Sequence, residues 1–568
     1  MGLGLLGLVT FLPLLAGLLL LATGRALPVA VWRVTGLLVT LATFVLSLGL
    51  WTGYDPVDGG YQFVERLEWL PEFGIRYFVG IDGISLALVL LTTFLMPLTM
   101  FATLRDIEKS TRSYIFFMLF LETGMLGAFV SLNLFVFYMF WEIMLIPMYF
   151  LIGIWGGPRR VHAAIKFFLF TMLGSMLMFV ALLVVYRLNF EQSGGVLNFD
   201  WVAIPGSTDL GILDTRVPVA GADQWWRTQP FLFAAFAIAF AIKVPMVPLH
   251  TWLPDAQVEA PTGGSVILAG VLLKLGAYGF LRFALPLFPD AALEATPIML
   301  GVALTGIVFG SLVAMVQTDI KKLVAYSSVA HLGFVMLGVF AFNSQGVSGG
   351  VLQMVSHGLS TGALFILVGY LYRRRRTHNI EEFGGVARPM PVFAALLGVV
   401  MMASIGLPGL SGFVGEFLIL LGTFSSHPWI AAAACFGIVI GASYMLWMYR
   451  CVMLGPVENP ENRGLIDLDW RERGVVVALI APILWIGVQP DPVLRRIEPA
   501  AVATLRIIDE RVQQRAPREE ENEEQARNVF DGRAVSRLAW PISEQTPGPI
   551  PAADRPPSLA LTSAESTR

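Results

Sequence analysis

Long apolar segments separated by short polar ones recur along most of the chain. About fourteen windows reach the roughly 20 apolar residues that a helix needs to cross a bilayer. The predicted spans are 3–22, 30–52, 79–104, 114–131, 133–156, 163–188, 230–251, 262–288, 296–317, 321–342, 348–372, 391–424, 428–454 and 472–489. The pattern predicts an all-α polytopic membrane protein with about fourteen transmembrane helices.

The chain after residue 489 has a different pattern. Val493–Arg515 fits one amphipathic helix, whereas "REEENEEQAR" and "PGPIPAADRPPS" are too polar and too rich in proline to form a packed core. We expect residues 490–568 to be a polar C-terminal tail that is partly disordered. The simplest interpretation of this tail is a solvated extension without a function of its own.

Composition and charge agree with a membrane protein, because 56% of the 568 residues are hydrophobic and only 14% are charged. Basic residues fall in alternate loops, and the positive-inside rule places those loops in the cytoplasm. The loops contain Arg25, Arg105 to Arg112, Arg159 and Arg160, Lys321 and Lys322, Arg373–Arg376 and Arg463 to Arg473. Both chain termini are then expected on the non-cytoplasmic side.

Several ionisable side chains fall inside the predicted spans, where each costs about 2.5 to 3.5 kcal/mol and is usually paired or functional. They are Glu122, Glu142, Lys166, Lys243, Lys274 and Glu416, with His250, His331 and His357 at or near membrane depth. Such charges can simply neutralise one another and hold helices together, or they can relay protons. A single Lys–Glu pair would leave these interpretations equal, whereas a series of titratable groups favours the relay.

The choice of basic residue also favours titration. Of the 38 lysines and arginines only six are lysines, and the deepest basic residues in our assignment, Lys166, Lys243 and Lys274, are all lysines. Arginine keeps its proton in proteins, whereas a buried lysine can release it near neutral pH. We therefore expect lysine where a buried charge must titrate and arginine where only a positive charge is needed.

Two of the histidines have polar residues one helical turn away. Ser327 precedes His331 by four residues, and Gln353 and Thr361 lie four residues to either side of His357. Residues at this spacing share one face of a helix. A polar face on an apolar helix predicts a hydrated path.

Two proline motifs predict breaks in helices 7 and 12. "AIKVPMVPLHTW" (241–252) reappears in altered form as "SIGLPGLSGFVGEF" (404–417), and proline interrupts a helix by removing a backbone donor. A spacing of five spans inverts the second copy, so the motifs predict two inverted five-helix repeats of the kind found in transporters. A chance pairing of two proline-containing helices is the alternative. His250, within the first motif, fits a cap at the break as well as a relay.

Four long motifs carry a resemblance to a known family. They are "FYMFWEIMLIPMYFLIGIWG" (137–156), "AIKVPMVPLHTWLPDAQVEAPTGGSVILAGVLLKLGAYG" (241–279), "DIKKLVAYSSVAHLGF" (319–334) and "GLPGLSGFVGEF" (406–417). The chain resembles the antiporter-like subunits of proton-pumping NADH:quinone oxidoreductase, respiratory complex I. The resemblance is closest to the subunit M family, because Glu416 stands where the paralogues usually have a lysine. Asn133 is a departure, since relatives often have aspartate there.

The resemblance implies a role for each buried charge. Glu142 and Lys243 would form an ion pair in the first half, Lys274 would be the central base, and Glu416 would be the terminal group. His331 and His357 would line the path between them, with Glu122 and Lys166 as flanking charges. The implied domains are helices 1–3 (1–113), a first repeat of helices 4–8 (114–288), a second repeat of helices 9–13 (289–454), a last helix (455–489) and the tail (490–568).

The chain itself offers no redox site. It has no nucleotide fingerprint, and Cys435 and Cys451 match no metal or iron–sulfur spacing. The resemblance implies that NADH, FMN, iron–sulfur clusters and quinone bind partner subunits of this translocating oxidoreductase. It also implies subunits L and N as neighbours, in the lipid bilayer of a bacterial cytoplasmic membrane and without nucleic acid.

Three alternatives remain open at this stage. The chain could be a subunit of a multisubunit cation/proton antiporter or of a proton-pumping membrane hydrogenase. It could also be a non-pumping membrane scaffold whose buried charges only lock its helices. Identification of the subunits that co-purify with the chain separates the first two alternatives, and transport by charge-neutral variants separates the third.

The predicted topology has a direct test. Because Arg373–Arg376 are expected in the cytoplasm and Asn343–Gly350 on the opposite side, cysteines introduced at the two places should react with a membrane-impermeant thiol reagent from opposite faces. Labelling of both places from the same face would contradict the span count.

Overall fold

The computed structural model describes residues 4–24, 26–203, 210–220 and 224–513. Most of these residues are helical, and we number the helices by predicted span. They are α1 (Leu5–Thr23), α2 (Val29–Gly53), α3 (Gly83–Thr103), α4 (Thr111–Val130), α5 (Leu134–Trp155), α6 (Arg160–Gln192), α7a (Gln229–Lys243), α7b (Trp252–Glu259), α8 (Thr262–Leu287), α9 (Pro289–Met315), α10 (Ile320–Val339), α11 (Ser344–Arg375), α12a (Pro391–Ser404), α12b (Ser411–Ser426), α13 (Pro428–Met453), α14 (Trp470–Val488) and α15 (Asp491–Gln513).

The helical membrane fold expected from the sequence is confirmed. Within the described ranges, eleven helices are long and apolar enough to cross a membrane, and a twelfth span results if α14 and α15, bent by 71°, are joined. Predicted span 12 (391–424) is a pair of shorter helices, as its proline indicated. Predicted span 7 (230–251) contains α7a and the break, but its second helix, α7b, begins just beyond the predicted end at Trp252. The total of fourteen spans and the inverted repeats agree with this arrangement and stay predictions.

Helices α8 and α11 form the centre of the bundle, because both are buried along their lengths. Helix α11 contacts α3, α8, α10, α12b and α14. By contrast α1, α2, α6, α9 and α13 carry exposed large apolar side chains, as expected for surfaces that face lipid. Ionisable groups in the middle of these helices, Lys274 on α8 and His357 on α11, are therefore almost completely buried.

Asn343 and Arg376 lie at opposite ends of α11. A helix of 32 residues is about 48 Å long at 1.5 Å per residue, which is enough to cross a bilayer. The two labelling sites of the topology test therefore lie on opposite sides of the bundle.

A two-stranded sheet is a feature that the apolar pattern did not predict. Strand β1 (Gln62–Leu70) pairs antiparallel with β2 (Ile75–Ile81). Strand β2 and the turn before it bond to the loops at residues 131–133 and 197–201. Strand β1 is only nine residues long and mixes polar with apolar residues, so windows of about 20 residues do not detect it. We call this end of the bundle the hairpin side.

The amphipathic helix expected after residue 490 is present as α15. Its apolar face packs on α3 and α11 at the hairpin side. Residues 514–568 lie outside the described ranges, so the expectation of a disordered tail stays a prediction.

The contacts of Asn133 on the hairpin side explain why an asparagine stands at this position. Its side-chain oxygen caps α5 by accepting from the Val136 amide at 3.2 Å, and its Nδ2 donates to Asp200 Oδ1 at 2.8 Å. The second carboxylate oxygen of Asp200 pairs with Arg76 at 3.0 Å. Burial raises the pKa of Asp200 above its usual range, against the hydrogen bond from Asn133 and the charge of Arg76. An aspartate at position 133 would face this carboxylate directly.

We expect Asn133→Asp to destabilise the hairpin side by about 1 to 3 kcal/mol, because a donor is lost and two carboxylates meet. Asn133→Ser keeps a capping oxygen without added charge and should cost less. Heating the membranes and measuring the surviving folded protein compares the two variants. The deficit of Asn133→Asp should shrink at acidic pH, where one carboxylate of the pair is protonated. Equal losses in both variants at all pH values would contradict this account.

Candidate functional site

The first break places Lys243 at the end of a half-helix inside the bundle. Helix α7a ends at Lys243 and α7b begins at Trp252, so residues 244–251 are irregular. The Trp252 indole donates to the Ile242 carbonyl at 2.9 Å, which satisfies one acceptor that the break leaves free. Lys243 is only 2% exposed, so the protein, and not water, has to stabilise its ammonium group.

The Lys243 ammonium lies over an aromatic ring. Its Nζ is 4.7 Å from the centroid of Trp141, and it has no hydrogen-bond partner within the described part of the chain. A cation over an indole is stabilised by about 0.5 to 2 kcal/mol. Glu142 follows Trp141 in the chain, yet no ion pair within 4.0 Å joins it to Lys243 among the described residues. The expected ion pair between Glu142 and Lys243 is therefore not formed in this structure.

Helix α8 contacts the first break through a glycine. A Cβ atom at Gly276 would lie 2.7 Å from the Phe240 carbonyl oxygen and 2.8 Å from the Val244 nitrogen. No larger residue would let the two backbones approach so closely. Because Gly276 is two residues after Lys274, this contact places the middle of α8 against the end of α7a.

Helix α8 is irregular on both sides of Lys274. The turns Leu268–Leu272 and Phe280–Ala284 are π-helical, and π-turns often mark functional sites because they leave backbone groups without their regular partners. The Lys274 side chain turns back and donates to the Ala269 carbonyl. This bond holds the amine in a fully buried position.

A contiguous chain of titratable side chains begins at Lys274. Its Nζ lies 2.8 Å from His357 Nδ1 on α11. The rings of His357 and His331 are 5.5 Å apart between centroids, and His331 Nδ1 lies 3.0 Å from Glu416 Oε1 on α12b. Four groups that can bind and release protons thus lie in series across four helices.

The second break holds the far end of this chain. Gln353 Nε2 donates to the same Glu416 oxygen as His331, at 2.9 Å. The other oxygen of Glu416 lies 2.8 Å from where a Cβ of Gly406 would be, and Gly406 has φ +76° at the break between α12a and α12b. The break therefore makes room for the carboxylate.

The structure brings together some predicted site residues and separates others. Lys166 pairs with Asp255 of α7b at 2.7 Å, so it joins α6 to the second half of helix 7. Glu122 is fully buried on α4, and neither of its oxygens has a partner in the described ranges. His250 lies between the rings of Phe309 and Tyr326 with its Nδ1 unpartnered. No described hydrogen bond connects these groups to the Lys274–Glu416 chain.

One sequence interpretation needs correction. The rule that deep basic residues are lysines is wrong, because Arg282 on α8 is 5% exposed. Arg282 lies within the predicted span 262–288, so its position in the sequence already contained this exception. Of the polar residues one turn from the histidines, Gln353 bonds to Glu416 and the Ser327 hydroxyl donates to the Val324 carbonyl.

Other residues of the site were missed. Trp141 and Asp255 lie within quoted motifs, but an aromatic residue and an acid near a helix end carry no distinctive pattern by themselves. Their partners, Lys243 and Lys166, identify them only in three dimensions. Within the described ranges, no group of three or more His, Cys, Asp or Glu side chains is arranged to hold a metal ion.

Comparisons with known proteins agree with this fold and site. Residues 131–441 match the family model "NADH:quinone oxidoreductase/Mrp antiporter, TM", and residues 66–128 match "NADH-ubiquinone oxidoreductase chain 4, amino terminus". NADH-quinone oxidoreductase subunit M of Rhodobacter capsulatus is 45% identical over 87% of this chain and 95% of its own. NADH-ubiquinone oxidoreductase chain 4 of Arabidopsis thaliana is 43% identical over 81% of this chain and 88% of its own.

A solved structure shows the same relationship in three dimensions. A chain of respiratory complex I from Thermus thermophilus with bound NADH has a TM-score of 0.78 and 33% identity, over 89% of this chain and all of that one. The fold and the buried series of charges define an antiporter-like membrane subunit. The chain belongs to the NADH-quinone oxidoreductase subunit M family, whose mitochondrial members are called chain 4.

The contact between Gly406 and Glu416 can be tested with two alanine variants. Gly406 and Gly409 both have positive φ, but a Cβ at Gly409 meets nothing within 4 Å. Each substitution should cost about 1 to 2 kcal/mol of backbone strain. Only Gly406→Ala should also push the Glu416 carboxylate away from His331, and so lower NADH:quinone turnover per assembled complex. Equal turnover in the two variants would show that the carboxylate position is unimportant.

Proposed function

We propose that this chain moves protons across the membrane as a membrane-arm subunit of NADH:quinone oxidoreductase, through its buried Glu, Lys and His side chains. The observation that carries the proposal is the series Lys274, His357, His331 and Glu416, which links the middle of the bundle to the second break through two hydrogen-bonded pairs and one ring-to-ring contact. Charges with a purely structural role would be expected to form separate ion pairs. Here Lys274 is hydrogen-bonded to His357, and His331 is hydrogen-bonded to Glu416.

The proposed path begins at Glu142 and Lys243, which are separated in this structure. In a low-dielectric site the Lys243 ammonium is stabilised by the Glu142 carboxylate when the two are close, and it loses that stabilisation when they separate. The open arrangement has Lys243 on Trp141 and leaves Glu142 Oε1 without a partner. The protein in this state favours transfer of the proton from Lys243 toward Lys274, which Gly276 holds nearby.

The next steps follow the hydrogen bonds. In the neutral imidazole of His357, Nδ1 accepts from the Lys274 ammonium and Nε2 carries the hydrogen. Passage to His331 needs a ring rotation or a bridging water, since the rings are 5.5 Å apart. His331 then exchanges a proton with Glu416, which Gln353 holds in place. Flanking roles fall to Glu122, to Lys166 through Asp255, and to His250 at the first break.

The driving reaction is assigned to partner subunits. NADH, FMN, iron–sulfur clusters and quinone would bind there, and the paralogous subunits L and N would be the neighbours in the membrane arm. The surrounding membrane would be the bacterial cytoplasmic membrane, with both termini and the hairpin on its non-cytoplasmic side. The domains are proposed as helices 1–3, repeats at residues 114–288 and 289–454, a last helix, and the tail from residue 490.

A multisubunit cation/proton antiporter and a membrane hydrogenase would use the same kind of site. The match of residues 66–128 to the chain 4 amino terminus favours the NADH:quinone oxidoreductase, as do relatives at 43 to 45% identity. The scaffold alternative is addressed by the variants of Lys243.

Two variants of Lys243 separate a relay from a fixed charge. Lys243→Arg keeps a cation that stacks on Trp141 but does not release its proton, whereas Lys243→Met removes the charge. A relay predicts that complexes with either variant assemble, pump poorly and turn over NADH slowly. The measurement is NADH-driven proton uptake by vesicles that contain equal amounts of assembled complex.

A fixed charge predicts a different result. Lys243→Arg would then pump nearly as well as the unmodified protein, and only Lys243→Met would fail. Near-normal pumping by the arginine variant would therefore exclude Lys243 as a relay group. Lys322→Arg, at a partly exposed lysine in the first turn of α10, is the matched control and should leave pumping unchanged.

A further inference from the structure

Arg282 occupies an unusual position for a residue with a permanent charge. It lies on α8, eight residues after Lys274, which is about 12 Å along a helix at 1.5 Å per residue, on the hairpin side. Its guanidinium pairs with Asp82 at 2.6 Å between Nη2 and Oδ2, and both side chains are at most 5% exposed. The path from Lys274 to Glu416 does not include this pair.

Every side of the guanidinium is occupied. Nε donates to the Tyr278 hydroxyl at 3.1 Å, Nη1 to the Tyr61 hydroxyl at 2.9 Å, and Nη2 to Ser85 Oγ at 3.1 Å. The Tyr61 and Tyr278 rings lie against it, at 5.1 and 5.3 Å from their centroids. Each of the three guanidinium nitrogens thus has at least one oxygen partner, so the cluster offers water few free polar groups.

The partners of Arg282 are themselves fixed. The Tyr278 hydroxyl donates to the Phe129 carbonyl at 2.8 Å, and Asp82 caps α3 by accepting from the Ser85 amide at 2.9 Å. The Trp201 indole donates to the Tyr61 hydroxyl at 3.1 Å. Aromatic rings of Phe283 and Trp201 pack around the cluster, and α15 covers the start of α3.

The hydrogen-bond directions prevent proton conduction through the cluster. Transfer along a chain of hydrogen bonds requires each member to accept a proton and release one. The hydroxyls of Tyr278, Tyr61 and Ser85 all accept from Arg282, and an arginine neither accepts a further proton nor releases its own. The hydroxyls of Ser85 and Tyr278 also bond to each other at 3.1 Å, but that pair ends at the Phe129 carbonyl, which passes no proton on. A proton on Lys274 therefore has no route through this cluster to the hairpin side.

We propose that Arg282, held between α8 and α3 by its contacts, forms a seal that closes the hairpin side of the first half of the protein to protons, so that a proton on Lys274 leaves only toward His357. This proposal rests on the proposed function. It assigns to Arg282 a positioning role that differs from that of the buried lysines: the lysines titrate, and the arginine blocks. The exception to the lysine rule thereby has a physical reason.

The test is the passive proton permeability of vesicles that contain assembled complex, measured without NADH as the decay of an imposed pH gradient. Arg282→Gln removes the cation and should increase the proton leak several-fold per complex. Asp82→Asn also breaks the ion pair, but it keeps the cation and a capping side chain, so its leak should stay near that of the unmodified complex. Arg450→Gln removes an exposed arginine near the end of α13 that has no ion pair in the described ranges, and it should not leak.

The outcomes distinguish the seal from a structural role and from failure of the proposed function. If Arg282 only holds α8 to α3, Arg282→Gln and Asp82→Asn will lower the yield of assembled complex alike and leave the leak per complex unchanged, which overturns the seal. If the unmodified complex shows no NADH-driven proton uptake, the proposed function fails whatever the leak. A leak confined to Arg282→Gln, with normal pumping by the unmodified complex, supports the seal.

Discussion

A charged group buried among membrane helices is tolerated only where the protein supplies its partner, and this constraint shapes the centre of the molecule. Helices α8 and α11 are the most deeply buried, and the hydrogen bond between Lys274 and His357 joins them. Around this bond the backbone is irregular: π-turns flank Lys274, and Gly276 lets α8 touch the end of α7a. The regular outer helices, with their exposed apolar side chains, keep lipid away from these groups.

The two breaks hold their charged groups differently. At the first break Lys243 rests on Trp141 and, among the described residues, has no carboxylate within ion-pair distance. At the second, Glu416 is held by both His331 and Gln353. On the proposed path, Lys243 is thus free to change partners, whereas Glu416 is fixed. Proton transfer requires at least one group whose affinity for the proton can change. A chain in which every member kept the same partner would not favour transfer in either direction.

The sequence predicted the membrane fold and the main candidate site residues, because burial of a charge in an apolar span is rare and the spans therefore single out Glu142, Lys243, Lys274 and Glu416. The prolines in spans 7 and 12 predicted both helix breaks. The hairpin at residues 62–81 was missed because its strands are too short for long windows, and Trp141 and Asp255 were missed because ordinary residue types gain a role only through a neighbour in space. The separation of Glu142 from Lys243 could not be predicted, because a sequence pattern does not give the distance between two side chains.

The buried lysines and the buried arginine differ in their ability to release a proton. Lys243 and Lys274 lie on the proposed proton path, whereas Arg282, with its three hydrogen bonds and its ion pair with Asp82, lies where we propose that no proton passes. The central claim is that protons travel between the two halves through the imidazole of His357. His357→Gln tests it most directly, since glutamine can still accept a hydrogen bond from Lys274 but cannot carry a proton. The measurement is the number of protons taken up per NADH oxidised by vesicles with assembled complex. The account predicts a clear fall in this ratio, and an unchanged ratio would contradict it.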